Sequence, residues 1–116
     1  MTDPDCLFCK IVRREIPAKM VFEDPDLLAF EDINPKAPMH VLVIPRRHIA
    51  TLNDTRPEHA QLLGRMIFAA RDLAAERGLA AGGYRAVFNC NADAGQSVFH
   101  IHLHVLGGRT FGWPPG

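Results

Sequence analysis

The chain has 116 residues, 47% hydrophobic and 22% charged, and its 13 basic and 13 acidic residues cancel to a formal net charge of zero. That suits one compact domain, 1–116, and removes bulk charge as a reason to bind nucleic acid or an acidic membrane. No apolar run approaches the roughly 20 residues of a bilayer span. The acidic start Met1-Thr-Asp-Pro-Asp5 lacks a signal peptide's basic head and apolar middle, so a cytoplasmic location is expected.

Cys6-Leu-Phe-Cys9 comes first in a chain with three cysteines, an odd number in a compartment that disfavours disulfides. Leu7, Phe8, Ile11 and Val12 have the spacing of a short amphipathic helix, which Ile16-Pro17 ends. Met20–Glu23 and Leu27–Asp32 read as strands, and Asp24-Pro25-Asp26 between them is a turn signal that makes a hairpin. Two prolines fix the loop Ile33–Pro38. His40–Pro45 is a β-branched apolar run, as a central strand needs.

The spacing Thr55-x-x-Glu58 with Pro57 inside the first turn predicts a capped helix start. Leu62, Met66, Ile67, Ala70, Leu73 and Ala74 form its expected buried stripe, and Gly78 its stop. His59 in that first turn is expected to be solvated, and Cys90 to be a small buried apolar residue. Tyr84–Asn89 reads as a strand and Asn91–Gly95 as a turn-rich loop. Five strands with one long helix and a short N-terminal helix amount to an α+β fold on one antiparallel sheet, the long helix packing on one face.

Three of the six histidines fall in Gly95–Gly107. Read with a period of two, Phe99, Ile101, Leu103 and Val105 share one face and His100, His102 and His104 the other, the pattern of a half-buried strand. Successive histidines then stand roughly 6.6 Å apart and the outer pair roughly 13 Å apart. That is too far for all three to share a metal with His bonds of about 2 Å. Three rings doing different work is the better reading than an exposed polar face.

The run His100-x-His102-x-His104 resembles the histidine triad family of nucleotide hydrolases and transferases. Phe22-Glu23-Asp24, Ala29-Phe30-x-Asp32-Ile33, Ala37-Pro38-x-His40-x-Leu42-Val43-Ile44-Pro45 and Gly95-Gln96-Ser97-Val98 occur there in the same order. The ending Leu106-Gly-Gly-Arg109 with Trp113-Pro-Pro-Gly116 is similar to the Hint branch. The resemblance implies a purine nucleoside phosphoramidase-like activity. His102 would attack the α-phosphorus of a nucleoside phosphoramidate, forming a nucleotidyl-histidine that water hydrolyses. It further implies that His104 reaches the phosphate, that His40 orients the other rings and that Ser97 donates to the leaving group or a phosphate oxygen. Backbone N–H groups around Gly95 and Gln96 would cradle the phosphate, Asn89 would contact phosphate or ribose, and Asp32 would hold the ribose diol. Ile33, Phe8, Ile11, Phe30 and Leu42 would form the slot for the base. A homodimer is implied, with 110–116 at its interface or the rim of the site.

Cys6-x-x-Cys9 has the spacing of half a tetrahedral zinc site. The resemblance to bacterial triad proteins supplies His48 and His100 as the other ligands of one structural Zn²⁺, a departure from Hint-type sequences that lack the cysteines. Three alternatives stay open. A catalytic metal could be held by His100 and His102, or by His102 and His104, together with His40, and a chelator would reveal it. The chain could be a nucleotide-binding module without turnover. Within the family it could hydrolyse dinucleoside polyphosphates or transfer nucleotidyl groups.

Overall fold

A computed structural model describes residues 2–116. In chain order the elements are α1 (Leu7–Val12), β1 (Met20–Glu23), β2 (Leu27–Glu31), β3 (Met39–Pro45), α2 (Ala60–Glu76), β4 (Tyr84–Phe88) and β5 (Leu103–Gly107). The five strands form one antiparallel sheet in the order β1-β2-β3-β5-β4. Among the described residues no helix is long and apolar enough to cross a membrane.

The β1–β2 hairpin follows from Asp24, whose Oδ1 accepts the N–H groups of Asp26 and Leu27, both at 2.8 Å. Such an aspartate folds the chain back on itself without needing a glycine. The central strand β3 is buried along its whole length because it is covered on both faces. On one face Val41, Val43, Leu103 and Val105 pack against Met66, Ala69, Ala70 and Leu73 of α2. On the other, Phe30, Leu42 and Ile44 pack against Phe8 and Ile11 of α1. Alternation within each strand thus sends successive residues into two different apolar layers. A cavity lined by His102 and His104 opens beside the smaller one.

Several expectations need correction. The helix begins at Ala60, after a 3₁₀ turn over Pro57–His59. No Thr55–Glu58 capping box forms. Instead the Arg56 N–H donates to Nδ1 of His59 at 2.9 Å, which buries His59 rather than solvating it. An unforeseen capping box joins Thr51 and Asp54 upstream. In the α2 stripe Ile67 is exposed and Leu62 only half-buried, while Ala69 is buried. Cys90 is half-buried. The histidine run is a strand only from Leu103 onward. Residues 98–102 are irregular, and Phe99 lies exposed instead of in the core.

Candidate functional site

The register across the sheet sets Phe30 beside Leu42 and Leu42 beside His104. These residues form the floor of a cavity of about 330 Å³. Phe8 and Ile11 of α1, Asp32 and Ile33 after β2, and Ser97 and His102 complete the walls, together with Leu7, Ile16 and Val98, which sequence reasoning did not pick out. A larger groove of about 600 Å³ lies between α2 and the β1–β2 hairpin. It contains no histidine, and its Arg65 is already bonded to Asp24, whereas the smaller cavity brings His102 and His104 together.

The three histidines His40, His102 and His104 have their ring protons assigned by their neighbours. The Lys36 N–H donates to Nδ1 of His40 at 3.0 Å, so neutral His40 carries its proton on Nε2. That proton points to Nδ1 of His104 at 2.9 Å, with Oδ2 of Asp32 at 3.4 Å. His104 therefore carries its own proton on Nε2. The backbone oxygen of His100 lies 2.8 Å from Nδ1 of His102. A carbonyl only accepts, so His102 has its proton on Nδ1 and a free lone pair on Nε2. Burial lowers the pKa of His102 and His40 below the ordinary imidazole value and pushes His104 down to about 4. For His102 and His40 the nearby Asp32 carboxylate works against burial without overcoming it. Neutral rings at pH 7 follow.

The rings of His102 and His104 stand 4.9 Å apart between centroids, closer than the pleat spacing because His102 precedes the strand and turns toward its neighbour. The ring of His100 turns elsewhere. Its Nδ1 lies 3.4 Å from Sγ of Cys6 and 3.5 Å from Sγ of Cys9, and Nδ1 of His48 lies 3.4 Å from Sγ of Cys9. All four donor atoms lie within 4.8 Å of one another. Sulfur and nitrogen at adjacent corners of a zinc tetrahedron stand roughly 3.6 Å apart, given bonds of about 2.3 and 2.0–2.1 Å. The donor set fits such an ion. Pro45 O lies 2.8 Å from Nε2 of His100, which holds the proton there and leaves Nδ1 free to ligate. The Asp3 and Cys9 N–H groups donate to Sγ of Cys9 and Cys6 at 3.3 and 3.4 Å, as suits thiolates. Burial, with a smaller contribution from the neighbouring Cys6, raises the Cys9 thiol above its ordinary value, and a bound cation would reverse that. His100 is pushed down to about 4, chiefly by burial.

Some expected residues stand apart from the cavity. Asn89 does not line it. His40 sits behind His104 rather than in the wall. The Gly95 and Gln96 N–H groups, expected to face a phosphate, donate to Ala92 O and Asn91 O at 3.0 and 3.1 Å. The buried Gln96 side chain bonds Ala50 O, Val98 O and the Asn91 N–H. Both residues thus brace the loop that carries Ser97. One oxygen of Asp32 accepts the Asn34 N–H at 2.8 Å, leaving the other toward the histidines.

The family model described as "Scavenger mRNA decapping enzyme C-term binding" matches residues 5–111. The chain is 51% identical to a HIT-like protein of Synechocystis over 112 residues, 97% of each chain. It is 50% identical to the purine nucleoside phosphoramidase of Escherichia coli K12 over 108 residues, 93% of this chain and 91% of the relative. Its structure is similar to that of a HIT family hydrolase from Legionella pneumophila, with a TM-score of 0.95 and 55% identity over 97% of this chain and all of that one. Fold, histidine arrangement and these matches agree, and the chain belongs to the histidine triad family.

Proposed function

We propose that the chain is a nucleotide hydrolase acting on nucleoside 5′-phosphoramidates. Nε2 of His102 attacks the α-phosphorus, the P–N bond breaks with its electron pair passing to nitrogen, and the nitrogen takes up a proton and departs as an amine. Water then displaces His102 and releases the nucleoside monophosphate. The observation that carries this reading is the bond from Nδ1 of His102 to His100 O at 2.8 Å, which presents the nucleophilic nitrogen in a neutral ring at the cavity wall.

The other roles follow from the same proton assignments. The Nε2–H of His104 donates to a phosphate oxygen while His40 holds its Nδ1. Asp32 receives the ribose hydroxyls through its free oxygen. Phe8, Ile11, Phe30, Ile33 and Leu42 enclose the base. Ser97 donates to the phosphate or the departing nitrogen, and the backbone N–H groups of Ser97 and Val98, unbonded among the described residues, take the cradling part first assigned to Gly95 and Gln96. The ligands Cys6, Cys9, His48 and His100 hold a structural Zn²⁺ that ties α1 to the end of β3. A homodimer is part of this reading. Trp113 is 85% exposed, and a second copy would cover it and bring the 110–116 tail to the rim of its partner's site.

The test is acid-quench trapping of a labelled nucleotide from an adenosine phosphoramidate, with the adduct mapped by mass spectrometry. Label on His102 supports the reading. Turnover with no adduct, or an adduct on another residue, defeats it. Chelation separates it from a catalytic metal at Asp32, His40 and His104, whose donor atoms also lie within 4.8 Å of one another. Capture by protein that stays folded in chelator favours the imidazole.

A further inference from the structure

Met39 opens β3 directly opposite Gly107, the last residue of β5. Antiparallel pairing therefore brings the loop before β3 and the tail after β5 to the same end of the sheet. Their contact is close. Gly108 has φ +94°, and a Cβ added there would meet Cβ of Pro38 at 2.9 Å, so only a residue without a side chain passes. The next residue, Arg109, donates from Nε to Lys36 O at 3.0 Å. Its guanidinium lies over the Phe111 ring, 4.3 Å from the centroid, and that of Arg85 on β4 lies over the same ring at 5.0 Å. Arg85 also donates to Gly112 O at 2.8 Å. The tail is thus tied to the sheet, and Arg109 ties the loop to the tail.

Lys36 is also the residue that sets the histidine protons. Its C=O accepts from Arg109, and its N–H donates to Nδ1 of His40 at 3.0 Å. The Nε2–H of His40 then meets Nδ1 of His104 at 2.9 Å. We propose that Arg109 is a positioning residue for the reaction, anchoring Lys36 so that His40, and through it His104, carries its proton on Nε2. This rests on the phosphoramidate reading, in which the Nε2–H of His104 donates to phosphate. Lys36 sits in an exposed, irregular loop. Without its anchor the Lys36 amide leaves Nδ1 of His40 part of the time, and a neutral imidazole with Nδ1 unoccupied takes its proton on either nitrogen. With the proton on Nδ1, His40 offers only a lone pair at Nε2. His104 must then donate from Nδ1 and turn a bare Nε2 toward phosphate, so an attraction becomes a repulsion. Oδ2 of Asp32, 3.4 Å from Nε2 of His40, favours the productive proton position, so losing the anchor shifts the population without inverting it. Arg109 does not line the cavity, and its effect passes through the rings.

The experiment reads the tautomers directly, from ring nitrogen chemical shifts of histidine-labelled protein at neutral pH with no substrate present. Wild type is expected to show Nε2–H on His40 and His104 and Nδ1–H on His102. Arg109→Ala should move the His40 and His104 shifts part of the way toward the other tautomer and leave His102 in place. On an adenosine phosphoramidate, kcat should fall about fivefold with KM held within about twofold, the scale of one hydrogen bond weakened in the transition state. A role confined to folding would lower the Tm and leave the ring shifts where they are. Unchanged His40 and His104 shifts in the folded variant therefore overturn the proposal, as do moved shifts with an unchanged kcat. Should Arg109→Ala not fold, Phe111→Leu removes the ring beneath the guanidinium. The same shifts must then move in the same direction, or the proposal fails. If wild-type protein cleaves no phosphoramidate, the substrate reading fails by itself, and the ring shifts alone decide the role of Arg109.

Discussion

His100 and His102 are two residues apart, and their rings do opposite things. His100 gives its Nε2 proton to Pro45 O and turns Nδ1 to two sulfurs. His102 gives its Nδ1 proton to His100 O and keeps Nε2 free at the cavity wall. In the first cluster two sulfurs and two ring nitrogens converge within 4.8 Å of one another, the arrangement a cation completes. In the second, His40 and His104 share a hydrogen bond at 2.9 Å, and the protons are already placed. A histidine's chemistry here is set by which nitrogen a backbone carbonyl occupies, a choice that residue spacing alone does not reveal. The clusters also touch, because the carbonyl that orients His102 belongs to His100.

The sharpest way to break this comparison is to remove one ring from each side. His102→Ala should lower phosphoramidate turnover by at least about a thousandfold and abolish covalent capture while leaving the Tm close to wild type. Turnover retained in that variant defeats the nucleophile assignment. Cys9→Ser should do the reverse. It should lose stoichiometric zinc, measured by elemental analysis, and about 3 kcal/mol of stability, which for a chain of this size is on the order of 12 °C in Tm. A variant that keeps its Tm would show that the cluster is ordinary packing.

Acid should sharpen the contrast. The ordinary histidine pKa is 6.5, and burial pushes His104 down to about 4. A depressed value means that the unfolded chain takes up the proton first as pH falls. The stability linked to His104 is complete above pH 6.5 and is lost as the pH drops toward 4. Urea midpoints between pH 7.5 and 4.5 should therefore fall less steeply in His104→Gln than in wild type. Parallel curves would mean that His104 is not held neutral. Protonation of Nδ1 would also break the bond from His40, so turnover should persist below pH 6.5 and fail only in more acid solution.

Much of the frame was legible because local chemistry and burial point the same way. Asp24-Pro25-Asp26 declares the hairpin, His40–Pro45 a strand apolar on both faces, and Gly78 a helix stop. The family resemblance had named Phe30, Leu42 and His104, and the strand register sets them side by side on the cavity floor. What escaped depends on contacts between distant segments. Period two assigns Phe99 to the core, yet the chain before Leu103 is drawn out of the sheet, with the Ile101 N–H bonded to Ile49 O. Nothing in the segment that leads into α2 announces that His59 will accept a backbone proton and be buried. The Gly95-Gln96 pair has the composition of an anion cradle, but its amides close a turn instead.

The smallest effect probes the seam between the clusters. Phe8 packs edge-on against both rings, with centroids 5.9 Å from His100 and 5.1 Å from His102, and also against Phe30 at 5.4 Å. It is at once core and cavity wall. Phe8→Leu keeps an apolar side chain of smaller volume and should cost about 1 kcal/mol. Because neither carbonyl bond to a ring nitrogen involves Phe8, zinc content and kcat should hold. Because Phe8 flanks the cavity, KM should rise several-fold with the lost aromatic contact. A fall in kcat with unchanged KM would instead mean that Phe8 positions the His102 ring. In that case the two clusters are joined through this side chain as well as through the His100 carbonyl.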